Sequence, residues 1–513
     1  MSEKLFRSTA IVSMMTFLSR ILGFIRDIVI ARLFGAGLGA DVFFVAFKIP
    51  NFLRRLFAEG AFSQAFIPVL AEYREKGDRD LKGLIANTSG TLASILFVIT
   101  AIGVIAAPLL VMIFAPGFVN NEEKINLAGD LLMITFPYLF FISLTALAGS
   151  ILNSFGKFAV PAFTPVFLNL SLIGSAIWLS PQLDEPVTAL AWGVFLGGVV
   201  QLLFQIPFLI NINQLPRPRW GWKNDGVQKI LKLMLPAMFG VSVSQINLLL
   251  DTLLASFLVT GSISWLYYSD RLVEFPLGLV GIALATVILP SLSQKHATAS
   301  KTEFSHTIDW ALRWVFIIGA PAAIGLIWLA EPLLLTLFQY GEFSPEDAYK
   351  ASLSLMAYGL GLLPFIIIKV LAPGYFARQD TKTPVKIGII AMATNMVLNI
   401  ILMLQLAHVG LALATALSAA LNASLLYVGL RKFGVYQPEK GWGLFATKLL
   451  LANAGLLLLL YFLTPTSSSW VTWDVWQRFS NLLGLIAGAA AVYFVVLAVV
   501  GIKLKNLFKL KAE

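Results

Sequence analysis

Apolar runs of membrane-spanning length, about 20 residues each, recur from one end of the chain to the other, separated by short polar stretches. They fall near 10–33, 39–70, 84–114, 128–153, 159–180 and 187–211. After a polar stretch from Asn213 to Lys229 they resume near 230–259, 264–293, 309–338, 347–377, 383–405, 409–430, 442–463 and 479–502. The pattern predicts an all-α polytopic membrane protein of about 14 transmembrane helices. The first run carries Arg20 and Arg26 and is followed by no small-residue cleavage site, so it is expected to stay as the first helix and not to be removed as a signal peptide.

Charge in the connecting segments alternates. One set is basic: Arg74, Lys76, Arg79 and Lys82, then Lys157, Arg217 to Lys229, Lys295 and Lys301, Arg378 and Lys382, Arg431 to Lys440, and the tail lysines from Lys503. The other set is acidic or neutral, with Glu122 and Glu123, Asp184 and Glu185, Glu342 to Asp347, and Asp474. Lysine and arginine near helix ends resist translocation, which predicts that both termini are cytoplasmic.

The chain also resembles itself at a shift of roughly 223 residues. Asp27 and Ala31 align with Asp251 and Ala255, Gly37 with Gly261, Pro68 with Pro290, Pro161 with Pro384, and Ala189-Leu190-Ala191 with Ala412-Leu413-Ala414. Two six-helix lobes in a parallel pseudo-twofold repeat are expected, since an even number of spans brings each lobe in from the same side. The predicted divisions are 1–212, 213–432 and 433–513, the last holding two extra helices and a basic tail. Prolines inside spans, among them Pro50, Pro137, Pro165 and Pro364, mark candidate bends, and Gly193-x-x-x-Gly197 and Gly484-x-x-x-Gly488 mark candidate close helix contacts.

Composition narrows the function classes. With 58% of residues hydrophobic and 12% charged, large water-facing domains are excluded. Cysteine is absent, and His296, His306 and His408 have no metal-ligand neighbours at helical spacing, so no metal site and no cofactor are expected. The net charge of +10 reports basic residues held at one membrane face, and no nucleic-acid partner is expected. The paired acids Asp270 and Glu274 would suit acid-base work, but no hydrolase, zincin or nucleotide-binding motif accompanies them, and the chain is read as a non-enzyme.

The informative residues are charges inside spans. Arg20, Arg26, Asp27, Arg32, Asp41, Lys48, Arg54, Arg55 and Glu59 lie in the first two runs, and Asp251, Asp270, Arg271, Glu274 and Lys369 in the second half. A charge at the bilayer centre costs about 2.5–3.5 kcal/mol on insertion scales, so these groups must face one another, water or a ligand. Asp41, Lys48, Arg55 and Glu59 step by seven, seven and four along one helical face. Eight cations against six anions leave positive charge over, and guanidinium groups bind phosphate bidentately, which points to an anionic, phosphate-bearing ligand.

The residues Ser19-Arg20-Ile21-Leu22-Gly23-Phe24-Ile25-Arg26-Asp27, the block Asp41 to Asn51, and Arg54-Arg55-Leu56-Phe57-Ala58-Glu59-Gly60 strongly resemble the MurJ (MviN) lipid II flippases of the MOP exporter superfamily. The resemblance continues through Tyr267 to Pro276 and Lys369 to Asp380, and covers nearly the whole chain. It implies transfer of undecaprenyl-diphosphate-linked disaccharide-pentapeptide (lipid II) from the cytoplasmic to the periplasmic leaflet of the bacterial inner membrane by a monomer, for peptidoglycan synthesis. It implies essential arginines at Arg20, Arg26, Arg54 and Arg271, with Asp41 and Glu274 as acidic partners. Lys48, Asn51, Arg55, Glu59, Asp270 and Lys369 complete the expected substrate-binding set. It also implies a lipid-tail groove formed by the spans near 442–463 and 479–502, a link to membrane potential or a coupling ion, and in some members a sodium site, for which Asp251 and Thr394 are candidates here. The alternatives are a flippase for another undecaprenyl-diphosphate-linked glycan and a drug exporter of the same superfamily, the latter disfavoured because surplus arginine suits organic cations badly. A partner-anchoring scaffold would not need so many intramembrane charges.

Overall fold

The computed structural model describes residues 3–56, 62–281, 288, 291–293 and 301–502. Glu59, Pro290, Lys295 and the tail lysines therefore lie outside the described residues. Those described are helical or in connecting turns, and include no strand.

The chain forms two compact units, Met1–Ser264 and Trp265–Glu513. The first contains α1 (Glu3–Phe34), α2 (Leu38–Arg54), α3 (Ser63–Lys76), α4 (Asp78–Ile105), α5 (Ala107–Phe114), α6 (Glu122–Thr135) and α7 (Tyr138–Ser154). It continues with α8 (Ala159–Phe163), α9 (Pro165–Gly174), α10 (Thr188–Asn211) and α11 (Asp225–Ala255), and ends at the start of α12 (Ser262–Pro276). The first unit thus includes α11, which opens the predicted 213–432 division. The cause is packing: Ile230 and Met234 of α11 belong to one buried cluster with Phe66 and Leu70 of α3, Leu84 of α4 and Leu147 of α7. On the polar side of this contact Glu72 accepts hydrogen bonds from Lys76 and Lys229, which hold its carboxyl down at about 2.

The second unit holds α13 (Lys301–Trp328), α14 (Ala330–Leu337), α15 (Pro345–Phe376), α16 (Lys382–Leu406), α17 (His408–Lys432), α18 (Trp442–Leu463), α19 (Ser467–Thr472) and α20 (Val475–Val499). Its elements repeat the order of the first: α4 and α13 begin at Asp78 and Lys301, α5 and α14 at Ala107 and Ala330, α6 and α15 at Glu122 and Pro345, each 223 residues apart. The repeat extends to a feature that hydropathy does not show. The spans predicted as continuous at 84–114 and 309–338 break at Ala106 and Leu329, where ψ turns to 8° and 16°, and a short helix containing Pro108 or Pro332 follows. Proline cannot donate to the preceding turn, so the ladder ends there.

Among the described residues ten helical stretches, α6 with α7 and α8 with α9 each counting as one, are long and apolar enough to cross a membrane, and each coincides with a predicted window. The remaining windows fall on α1, α2, α11 and α12, and three of these helices, α1, α2 and α12, carry the intramembrane charges or are too short for the criterion. Gly193 and Gly197 do permit close contact: a Cβ there would come within 3.1 Å of Leu172 Cα and 2.8 Å of a Leu168 methyl. Gly484 and Gly488 do not, since an added Cβ at Gly484 meets nothing within 4 Å and one at Gly488 only Leu459 at 3.9 Å; α20 packs on α18 through Gly455 against Val492 and Val496.

The two extra helices are tied to the second unit by polar anchors. Asp309 on α13 accepts from Tyr436 Oη (2.8 Å), Trp442 Nε1 (2.6 Å) and the Glu439 amide (3.2 Å), and pairs with Arg313 (2.8 Å). Arg478 on α20 donates to the carbonyls of Leu335, Gln339, Val471 and Trp473, satisfying the end of α14. Replacing Asp309 by Ala strands three donors and leaves Arg313 with its longer bond to Glu439 at 3.5 Å, and is expected to destabilise the chain by about 3–5 kcal/mol. The loss would be read as a lowered unfolding midpoint in detergent, accompanied by proteolysis in the 433–441 connection.

Candidate functional site

Arg26 and Asp27 sit where α1 is covered by α9, at 6% and 1% exposure. Arg26 donates through Nε (2.9 Å) and Nη2 (2.6 Å) to the same Asp27 oxygen, and through Nη1 to Asn169 Oδ1 (3.0 Å). Asn169 in turn donates to the Ser19 carbonyl (3.1 Å). Gly23 lets α9 approach at this level, since a Cβ there would already touch the Asn169 amide at 3.7 Å. The guanidinium is thus fixed in position and paired with one carboxylate inside the bundle.

Next to this pair the first unit has a partly open cavity of about 360 Å3, with Arg54, Asn153, Thr164, Asn169, Gln201 and Gln205 among its walls. Asn169 therefore belongs both to the cavity and to the Arg26 network. Arg54, half-buried, has its Nε engaged by Asn51 Oδ1 at 2.9 Å, which sets the plane of its guanidinium. Arg26, Asn51 and Arg54 are brought to one region by this arrangement.

Other expected site residues are placed elsewhere. Asp41, 1% exposed, accepts from the Gly261 amide (2.7 Å), the Ser264 amide (2.9 Å) and Ser264 Oγ (2.6 Å), so these bonds tie it to the start of α12 and not to an arginine. A carboxylate at a helix N-terminus is stabilised by the unpaired amides and the dipole there. Arg20 is exposed, and Lys48 and Arg55 are half-buried, so the face running from Asp41 is described only as far as Arg55. In the second unit Arg271 donates to Glu274 (2.8 Å) and to Tyr267 Oη (3.1 Å), and lies over the Tyr267 ring at 5.1 Å. Asp270 and Lys369 are exposed. Asp251 and Thr394, the sodium-site candidates, lie on α11 and α16, in different units.

The sequence reading did not single out Asn169, Thr164, Gln201 or Gln205. A signal existed: Gln201 and Gln205 are an i, i+4 pair of amides in the otherwise apolar span of α10, which places both on one helix face.

The chain matches the family model described as lipid II flippase MurJ over residues 30–482. It is 55% identical to a Vibrio cholerae protein named probable lipid II flippase MurJ, over 99% of this chain and 98% of that one. It is 42% identical to a Burkholderia cenocepacia protein named lipid II flippase MurJ, over 97% and 98% of the two chains. Among solved structures it is similar to a lipid II flippase MurJ in an inward closed conformation, with a TM-score of 0.81 at 28% identity, over 97% of this chain and 99% of that one. An inward-facing multidrug resistance MATE family transporter of the MOP superfamily shares the fold, with a TM-score of 0.67 at 14% identity over 83% of this chain and 98% of that one. With ten helical stretches among the described residues apolar and long enough to span and a family match covering most of its length, the chain is a multi-pass membrane protein that belongs to the lipid II flippase MurJ family.

Proposed function

We propose that the chain carries lipid II from the cytoplasmic to the periplasmic leaflet of the bacterial inner membrane, its arginines binding the diphosphate while its two halves alternate access. The observation that carries this reading is the buried Arg26, fixed by Asp27 and Asn169 beside a polar cavity walled in part by Arg54. A diphosphate presents fork-like pairs of oxygens, and guanidinium groups already held in plane lose little freedom in binding them. Arg20 and, in the second half, Arg271 are the further cations assigned to the anion. Release needs that grip to weaken, and the bonds from Arg271 to Glu274 and from the α12 start to Asp41 are the polar contacts available to be exchanged.

The polyprenyl tail need not cross with the headgroup. It stays in lipid, and α18 and α20 are the assigned track for it. An inside-negative potential drives an anion outward with about 2.3 kcal/mol per charge per 100 mV, which makes membrane potential a sufficient source of energy for this direction of transfer. The charge alternation of the loops sets both termini in the cytoplasm.

Purified protein in liposomes with labelled lipid II, scored by headgroup attack from an external enzyme, tests the reading. Arg26→Lys and Arg54→Lys, which keep charge but lose the planar fork, are expected to lower the initial rate tenfold or more, as about 1.4 kcal/mol of lost recognition would. Parent-like transport by Arg26→Lys would contradict bidentate binding. Orientation has its own check, because the chain has no cysteine and any introduced thiol is unique. On intact cells an impermeant maleimide should modify Asp184→Cys and spare Lys440→Cys, and the reverse pattern would invert the assigned topology.

A further inference from the structure

The cavity of the first unit has a chemical signature that arginine alone does not explain. Gln201 and Gln205, 2% and 1% exposed, both point their amides at Thr164, between α8 and α9. Gln201 Nε2 donates to the Thr164 carbonyl (3.3 Å), and Gln205 Nε2 to Thr164 Oγ1 (2.9 Å). These bonds fix which end of each amide faces which way. A carbonyl only accepts, and the Thr164 hydroxyl has spent its proton on the Val160 carbonyl at 2.8 Å, so it too can only accept from Gln205. Both NH2 groups must therefore face Thr164. The two Oε1 atoms are left buried without a protein partner. Both glutamines line the cavity, and Gln205 Oε1 lies at the small Gly149 surface, 3.7 Å from where a Cβ would stand.

Two buried carbonyl oxygens call for a ligand that donates hydrogen bonds. A metal cation is the weaker match, because no carboxylate is among the residues lining the cavity while Arg54 is. A neutral group bearing hydroxyl and amide hydrogens fits both facts, and about 360 Å3 is within the range of about 300–1,000 Å3 that encloses small ligands. Arg54 in the wall and Arg26 behind Asn169 place cationic groups next to this neutral region.

Resting on the transport reading above, we propose that this cavity is the carbohydrate subsite of the first half. It takes an acetamido sugar attached to the diphosphate, with Gln201 and Gln205 accepting from its hydroxyl or amide hydrogens. Recognition is then divided by chemistry: guanidinium for the diphosphate, oriented amide oxygens for the sugar. An acceptor without a partner also works as a filter, since a substrate that buries it without donating leaves it unpaired.

The test is equilibrium binding of two probes to the full chain in nanodiscs: lipid II, and undecaprenyl diphosphate, which has the same tail and diphosphate but no sugar. Gln201→Met and Gln205→Met keep length and remove the acceptor. Gly149→Ala is a second kind of variant, because its methyl would make only ordinary contacts of 3.4–3.7 Å and suits a helix, yet it stands against Gln205 Oε1. Each is expected to weaken lipid II binding roughly tenfold, with undecaprenyl diphosphate binding unchanged as the control for intact folding. Lipid II affinity unchanged in all three variants, or equal losses for both lipids in Gly149→Ala, would overturn the sugar subsite and leave the transport reading standing. A parent chain that binds the two lipids equally well would do the same. A parent that binds neither would remove the transport reading, and the subsite with it.

Discussion

The first unit is organised around a charge that its apolar helices cannot solvate. Bringing a guanidinium out of water costs several kcal/mol even after relaxation, and Arg26 is almost wholly enclosed. Asp27 offsets the charge, Asn169 takes a hydrogen bond from Nη1, and Asn169 is itself held by the Ser19 carbonyl. This chain of bonds sets the register of α1 against α9, because a shift of either helix would leave the guanidinium with too few acceptors. A hydrophobic trio of similar volume would pack as well or better. What the polar version adds is a cation of fixed position at the edge of a polar cavity.

That cavity lies beside an interruption of the chain, with Pro161, Thr164 and Pro165 among its lining residues. Thr164 lies between α8 and α9, with Pro165 opening the second of them; its carbonyl accepts from the Phe167 amide at 3.1 Å and, with its second lone pair, from Gln201 at 3.3 Å. The hydroxyl of the same residue turns back to Val160 and orients Gln205. One break thus fixes two side chains on α10. The breaks at Ala106 and Leu329 are of a different kind, since they recur 223 residues apart and belong to the duplicated plan of both halves, whereas the orientation of the glutamines belongs to the first half alone.

Most of the architecture was legible because lipid-spanning helices must satisfy their backbone internally and expose apolar side chains, and both demands leave long, countable runs. The repeat and the alternation of loop charge were legible for similar reasons. The short breaks were not, because hydropathy is blind to where a ladder ends, and a proline alone does not decide it: Pro108 follows a break while Pro207 lies inside α10. At the site, Arg26 and Arg54 stood out as charges in apolar sequence. The pairing of Arg26 with its immediate neighbour Asp27 did not, since adjacent residues on a helix point about 100° apart and only the length of arginine lets it reach around. Asp41 stands out in the sequence only as a charge in an apolar span; the groups it bonds are at a helix start some 220 residues away, which no local spacing reveals.

Charge and neutral polarity stand side by side in this unit, with Arg54 and the two glutamines in the wall of one cavity, and the combination suits a cargo that must be released. A site that held its whole ligand with guanidinium would bind it tightly in every conformation, and uniform affinity moves no equilibrium. Oriented amide oxygens contribute less each, about 0.5–1.5 kcal/mol net, but they are sensitive to position, because a hydrogen bond weakens steeply once its angle is lost. The two kinds of contact therefore answer differently to the same displacement: a long-range attraction fades slowly, and a directional bond breaks at once. Thr164, which aims both glutamines from one interrupted stretch of backbone, is the point at which a small change in helix geometry would be felt by both acceptors together.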